Sequence, residues 1–125
     1  MAVENTEIVD VWHELLDRYA RSVSALERAL EHEHGLGVSE YEVLERLAGE
    51  EFAEQRRMQV LGEALHLSQS ALSRVVGRLE AEELVVRKMC AQDRRGIYTC
   101  LTDAGRTRFE AARPTHRAVL AETLG

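Results

Sequence analysis

The sequence predicts a mainly α-helical fold with one small β-hairpin, in which two helices meet at a tight turn just ahead of the hairpin. Three observations predict it. Apolar residues advance by three or four positions through a long N-terminal stretch, and again on both sides of His66-Leu67-Ser68. Two runs of strand type, 84 to 89 and 96 to 101, flank the polar link Ala91-Gln92-Asp93-Arg94-Arg95. One proline and no Gly/Ser-rich tract in 125 residues leave no linker at which to divide the chain, so residues 1 to 125 are read as one domain.

The first helix is expected from about Thr6 to His32, on the stripe Ile8, Trp12, Leu15, Tyr19, Val23, Leu26 and Leu30. A small domain needs a second surface to cover a stripe of that length, so part of it is expected in a subunit interface. Gly35-Leu36-Gly37 ends the helix in a turn. Ser39-Glu40-Tyr41-Glu42 then reads as a capping box with Glu42 reaching back, opening a helix that turns Tyr41, Leu44 and Leu47 inward and stops at Gly49. Residues 50 to 57 form a polar connection, with a short strand expected near Arg57 and Met58.

Val60, Leu61, Ala64 and Leu65 make a short helix, and after the three-residue turn Ser68 caps the next one, whose buried face is Leu72, Val75, Val76 and Leu79. The hairpin follows, with Arg94 and Arg95 expected at its tip. Thr102 caps a final helix with Phe109 inward, and Pro114 is expected to interrupt it, because proline cannot supply the hydrogen bond a continuing helix needs.

A net charge of −6 looks wrong for a nucleic-acid partner until it is counted by segment. Residues 1 to 55 hold 4 Arg against 14 acidic residues, whereas residues 56 to 113 hold 11 Lys+Arg against 7. Only the local field at a docking face has to be positive. The polar face of the helix after the turn carries Ser70, Ser73, Arg74 and Arg78, hydroxyls and guanidinium forks that suit phosphate oxygens and the acceptor edge of guanine. Helix, short turn and helix is the spacing of a helix-turn-helix, and a hairpin directly after it is a wing whose arginines can enter a narrow minor groove.

These residues resemble the MarR family of bacterial winged-helix transcriptional regulators, over nearly the whole chain. Asp93-Arg94-Arg95 followed by Leu101-Thr102-Asp103-Ala104-Gly105 is similar to the wing signature of that family, and Leu67 to Arg74 is similar to the start of its recognition helix. The resemblance implies an obligate homodimer built by helices over about 6–34 and 103–125, with a winged helix-turn-helix over about 38–102. It implies a repressor on a pseudo-palindromic operator in double-stranded DNA, released by a small phenolic or lipophilic effector. Carried over by position, Ser70, Ser73 and Arg74 approach base edges, Ser68 and Arg78 the phosphates, and Arg94 the minor groove. Asp93 and Arg95 hold the hairpin together, with Arg95 also facing DNA. Three departures stand out: Gly77 where the family often has an acidic residue, Glu83 where a glycine usually closes the recognition helix, and a short stretch after Pro114. Gly77 is read as the mark of a close packing contact.

Other signals are weaker. Cys90 and Cys100 lie on opposite wing strands, but a simple register sets Cys90 opposite about Ile97, so free thiols are expected. His32-Glu33-His34 lacks the spacing of a metal-ligand set, and no metal or cofactor is expected. Trp12, His13 and Tyr19 are candidates for lining a ligand cleft, although an aromatic stripe at helical spacing is usually core. No catalytic constellation or Gly-rich phosphate loop can be assembled, so no enzyme is expected. Glu4, Glu7 and Asp10 stand where a secretory signal would be basic then apolar, and no run approaches a membrane span, which predicts a cytoplasmic protein. The alternative function from another class is a winged-helix module whose basic face binds an acidic protein.

Overall fold

The computed structural model describes residues 5–49, 57–90 and 93–125, with only the backbone described for residues 89, 90 and 93 to 96. The order is α1 (Thr6–His34), α2 (Val38–Gly49), α3 (Met58–Leu65), α4 (Gln69–Ala81), β1 (Val85–Cys90), β2 (Asp93–Leu101) and α5 (Asp103–Leu124). Five helices and a two-stranded antiparallel hairpin make a winged-helix fold.

The 29 residues of α1 form a rod about 43 Å long, too long for the rest of the chain to cover. Its second half packs inward through Ser22, Leu26 and Leu30. Its first half leaves Ile8, Trp12, Leu15, Leu16 and Tyr19 exposed, Tyr19 at 70%. Gly35 ends the helix at φ 65, a left-handed conformation that costs glycine nothing, and its N–H donates back to the Glu31 and Leu30 carbonyls.

At the start of α2 the cap lies two residues ahead of the expected one. The carboxylate that reaches back is Glu40, which accepts from the Gly37 N–H at 2.8 Å, while Ser39 lies inside the helix. Both pairings have the same three-residue spacing, so the pattern did not distinguish them. Glu42 is thereby released to face α5. Tyr41, Leu44 and Leu47 are buried as expected and form the middle of the core with Leu30, Leu36, Leu61, Leu72, Val76 and Leu79.

Two helix ends close on left-handed residues other than glycine. His66 at φ 58 ends α3 and Glu83 at φ 60 follows α4, each in a Schellman pattern in which the next N–H reaches back five residues, Leu67 to Gly62 and Leu84 to Leu79. The departure at Glu83 is therefore a strained residue kept in the glycine conformation, at a cost of about 1 kcal/mol.

Pro114 does not interrupt the last helix: α5 runs unbroken from Asp103 to Leu124 with the proline inside it. The missing backbone bond is outweighed by the face that α5 buries on both sides of the proline, Phe109 and Ala112 before it, His116 and Val119 after it.

Candidate nucleic-acid interface

The helix-turn-helix pair is held by its own local chemistry. Ser68 caps α4, its Oγ accepting from the Ala71 N–H at 3.1 Å, and Gln69 donates from Nε2 to the Met58 carbonyl at the start of α3. Leu72, Val75, Val76 and Leu79 are buried, which turns Ser70, Ser73, Arg74 and Arg78 to solvent. Neither Arg74 nor Arg78 has a hydrogen bond or ion pair to another described residue, so both guanidinium forks are available to an outside acceptor. Ser68 is also exposed, its Oγ 3.4 Å from the Ser70 hydroxyl.

The wing lies beside this helix. β1 and β2 pair from Val85↔Leu101 to Met89↔Ile97, and the register then jumps so that Cys90 pairs with Asp93. Two expectations change. Asp93, Arg94 and Arg95 belong to the backbone of β2 rather than to an open tip, and Arg94, Arg95 and Gly96 form a bulge opposite the Met89–Cys90 step. Cys90 faces Asp93 instead of Ile97, while Cys100 faces Val86 and is a free thiol. The side chains of Asp93, Arg94 and Arg95, and the connection over 50 to 56, lie outside the described residues. The short strand expected near Arg57 is present as a bridge to Tyr98, with the Arg57 guanidinium 5.7 Å from the Tyr98 ring centre.

Sequence reading missed Arg87. From β1 its Nη2 donates to the Ser73 carbonyl of α4 at 3.1 Å, and its Nε forms an ion pair with Glu80 at 2.9 Å that is not an in-line hydrogen bond. The close packing expected at Gly77 is absent: a Cβ there would stand 3.9 Å from Arg87 Nη2, an ordinary van der Waals distance.

The second half of the wing signature works on structure. Thr102 Oγ1 donates to the Glu83 carbonyl at 2.7 Å and accepts from the Gly105 N–H at 3.0 Å, while the Thr102 N–H donates to the Leu84 carbonyl at 3.1 Å. One threonine thus caps α5 and ties it to the junction between α4 and the wing. Gly105 sits so close to the Leu84 carbonyl that a Cβ would collide with that backbone oxygen.

A cleft of about 790 Å³ opens between α1, α2, α3 and the end of α5, walled by Leu15, Val23, Leu26, Leu65, Leu67 and Leu120, with Arg18, Ser39 and Glu42 among its polar groups. Of the aromatic candidates, Tyr19 lines it, whereas Trp12 and His13 stand on α1 outside it. A cleft that size, mostly apolar with a few convergent polar groups, suits a small organic molecule.

Behind the cleft a polar cluster joins α2 to α5. His116, 4% exposed, stacks on Tyr41 with ring centres 4.3 Å apart. Its Nε2 lies 3.5 Å from a Glu42 oxygen, and its Nδ1 accepts from Arg117. Arg117 also grips both oxygens of Glu45, at 3.0 and 2.9 Å. Glu42, Glu45 and His116 are close enough together to suggest cation ligands, but the donor set argues otherwise. The Nδ1 lone pair is taken up by the hydrogen bond from Arg117, and the guanidinium already neutralises Glu45. At the other candidate, His34 Nε2 is hydrogen-bonded to Thr115 Oγ1 at 2.8 Å.

The two bonds from Arg117 hold the Glu45 carboxyl down at about 2 against the opposing effect of partial burial, and they hold the Arg117 guanidinium above its ordinary value. Burial, reinforced by Glu45, pushes the Tyr41 phenol up, although its hydroxyl makes no well-formed hydrogen bond to a described residue. Because the folded value for Glu45 lies below the unfolded one of 4.5, its stabilisation is complete above about pH 4.5 and is lost as the pH falls toward 2. Arg117 is 46% exposed, so solvent screening leaves about 1–2 kcal/mol of this contribution. Urea melts at about pH 7 and about pH 3 should show that difference in the wild type, and Glu45→Gln should shrink it.

An exposed recognition helix, braced by a second helix and flanked by a hairpin, defines a winged-helix DNA-binding protein. The chain belongs to the MarR family of transcriptional regulators: the family profile matches residues 34–96. It is similar to the HTH-type transcriptional regulator MhqR of Bacillus subtilis (strain 168), 30% identical over 110 residues that cover 88% of this chain and 74% of MhqR. Among solved structures it is similar to AbsC, a MarR family regulator from Streptomyces coelicolor, with TM-score 0.84 and 30% identity over 99% of this chain and 82% of AbsC. Sco3205 of the same organism, a MarR family regulator solved in complex with DNA, superposes with TM-score 0.86 at 27% identity over 99% of this chain and 77% of Sco3205. These relatives are transcriptional regulators. Among the described residues no helix is long and apolar enough to cross a membrane.

Proposed function

We propose that this regulator acts in the cytoplasm as a homodimeric repressor on a pseudo-palindromic operator in double-stranded DNA, and that a small phenolic or lipophilic effector in the cleft releases it. The observation that carries the reading is the solvent face of α4, with Arg74 and Arg78 both uncommitted on a helix whose opposite side is buried. In this reading α4 enters the major groove, with Ser70, Ser73 and Arg74 toward base edges and Ser68 and Arg78 toward phosphates. The wing follows the backbone to the adjacent minor groove, where Arg94 and Arg95 meet its negative potential and Asp93 steadies the hairpin.

The uncovered first half of α1 supports the dimer. Ile8, Trp12, Leu15 and Tyr19 continue the stripe that Leu26 and Leu30 bury further along, and a second copy supplies the cover the chain lacks. Helices over 6–34 and 103–125 then form the dimerising part and residues 38–102 the reading head. The apolar walls of the cleft, which touch both parts, support an effector that changes the angle between them.

Arg74→Ala should lower affinity for a duplex selected on the wild type by about 1–3 kcal/mol and relax the preference at one base position per half-site. Arg94→Ala should weaken binding with a smaller salt slope. Both are read by fluorescence anisotropy on single-base variants of the selected duplex. An unchanged preference in Arg74→Ala would remove α4 from the groove.

A further inference from the structure

A two-stranded hairpin has little stability of its own, so the angle of the wing to α4 must be set by what ties it down. On the side of β2 the anchors are Tyr98, bridged to Arg57, and the buried Thr99, whose Oγ1 lies 3.1 Å from Met58 Sδ. On the side of β1 the tie is Arg87. Its guanidinium lies across α4 between the Ser73 carbonyl and the Glu80 carboxylate. Ser73, Gly77 and Glu80 fall on one line of the helix, at i, i+4 and i+7. Helical side chains lean toward the N-terminus, so Glu80 reaches back toward Gly77, and the guanidinium rests beside it, with Nη2 3.9 Å from where a Cβ at 77 would stand.

We propose that Arg87 is a positioning residue for DNA binding: held by Ser73 and Glu80 alongside Gly77, it locks the wing to the turn of α4 that carries Ser73 and Arg74. The inference rests on the reading of α4 and the wing as the DNA-binding surface. With its charge already matched by Glu80, Arg87 acts from inside the protein rather than on a phosphate. Its effect on DNA passes through the pose of the hairpin, and so reaches Arg94 and Arg95.

The lock predicts a swap. Glu80→Gln removes the carboxylate, and Gly77→Asp in that background returns one to the same guanidinium from one turn earlier. All variants are made in the full chain, with thermal melts showing that each folds, and are read in two ways. In the free protein, amide hydrogen exchange of β1 should quicken in Glu80→Gln and slow again in the double variant. On a duplex selected with the wild type, Glu80→Gln should bind about tenfold more weakly. It should lose hydroxyl-radical protection in the flanking minor groove while keeping guanine protection in the major groove, and the double variant should recover both. Arg87→Ala should match Glu80→Gln. Unchanged flanking protection in Glu80→Gln, or a double variant that recovers neither exchange nor footprint, would overturn the lock. If the wild type selects no duplex, the DNA-binding reading fails, and the exchange arm still decides whether Arg87 holds the wing.

Discussion

Gly105→Ala should destabilise the protein by about 3 kcal/mol or more, the largest effect expected from a methyl group at any of the described glycines. The added Cβ collides with the Leu84 carbonyl oxygen and presses on Leu101 Cδ2 at 3.1 Å. Neither neighbour can give way cheaply. The same Leu84 oxygen accepts from the Thr102 N–H at 3.1 Å, and Thr102 Oγ1 donates to the Glu83 carbonyl at 2.7 Å. Relieving the clash therefore means lifting the first turn of α5 off the junction and breaking both bonds. Urea denaturation gives the loss directly; a change below about 1 kcal/mol would show that this junction is looser than described.

Trp12→Glu combined with Leu15→Glu should convert the proposed dimer to a monomer while leaving each chain folded. Both residues are 57% exposed in the single chain, so charge there costs little within a protomer and a great deal in an apolar interface. A monomer reads one half-site, and losing the second linked contact should lower operator affinity by about 100-fold. Sedimentation velocity reports the first effect and a duplex titration the second. Persistence of the dimer would move the interface away from the first half of α1.

The recognition helix was legible because burial and chemistry share one period: Leu72, Val75, Val76 and Leu79 on one face fix what stands on the other. The turn at 66 to 68 and the hairpin were legible for similar local reasons. What escaped depends on partners distant in sequence. Arg87 sits in a strand pattern and finds Ser73 and Glu80 in the preceding helix. Arg117 and Glu45 are 72 positions apart and meet because α2 and α5 pack together. The rule that proline breaks helices failed at Pro114 because it counts one local bond, and Phe109, Ala112, His116 and Val119 bury a face that outweighs it.

The motif from Leu101 to Gly105 teaches a finer distinction. Its resemblance to a wing signature pointed to the right fold. Yet Thr102 and Gly105 act inside the protein, one as a cap and staple, the other as a space through which two backbones approach. The stripe on α1 was visible along its whole length, but which half the chain covers follows from the packing of α5.

The most direct test of the central claim is a salt titration of binding to a duplex selected from a randomised library. If α4 and the wing dock on the DNA backbone, log affinity should fall linearly with log salt, with a slope near −0.9 for each phosphate neutralised, and the selected duplex should carry two inverted half-sites about one helical turn apart. No measurable duplex binding even at low salt would contradict it, and would leave the basic face of this protein to an acidic protein partner.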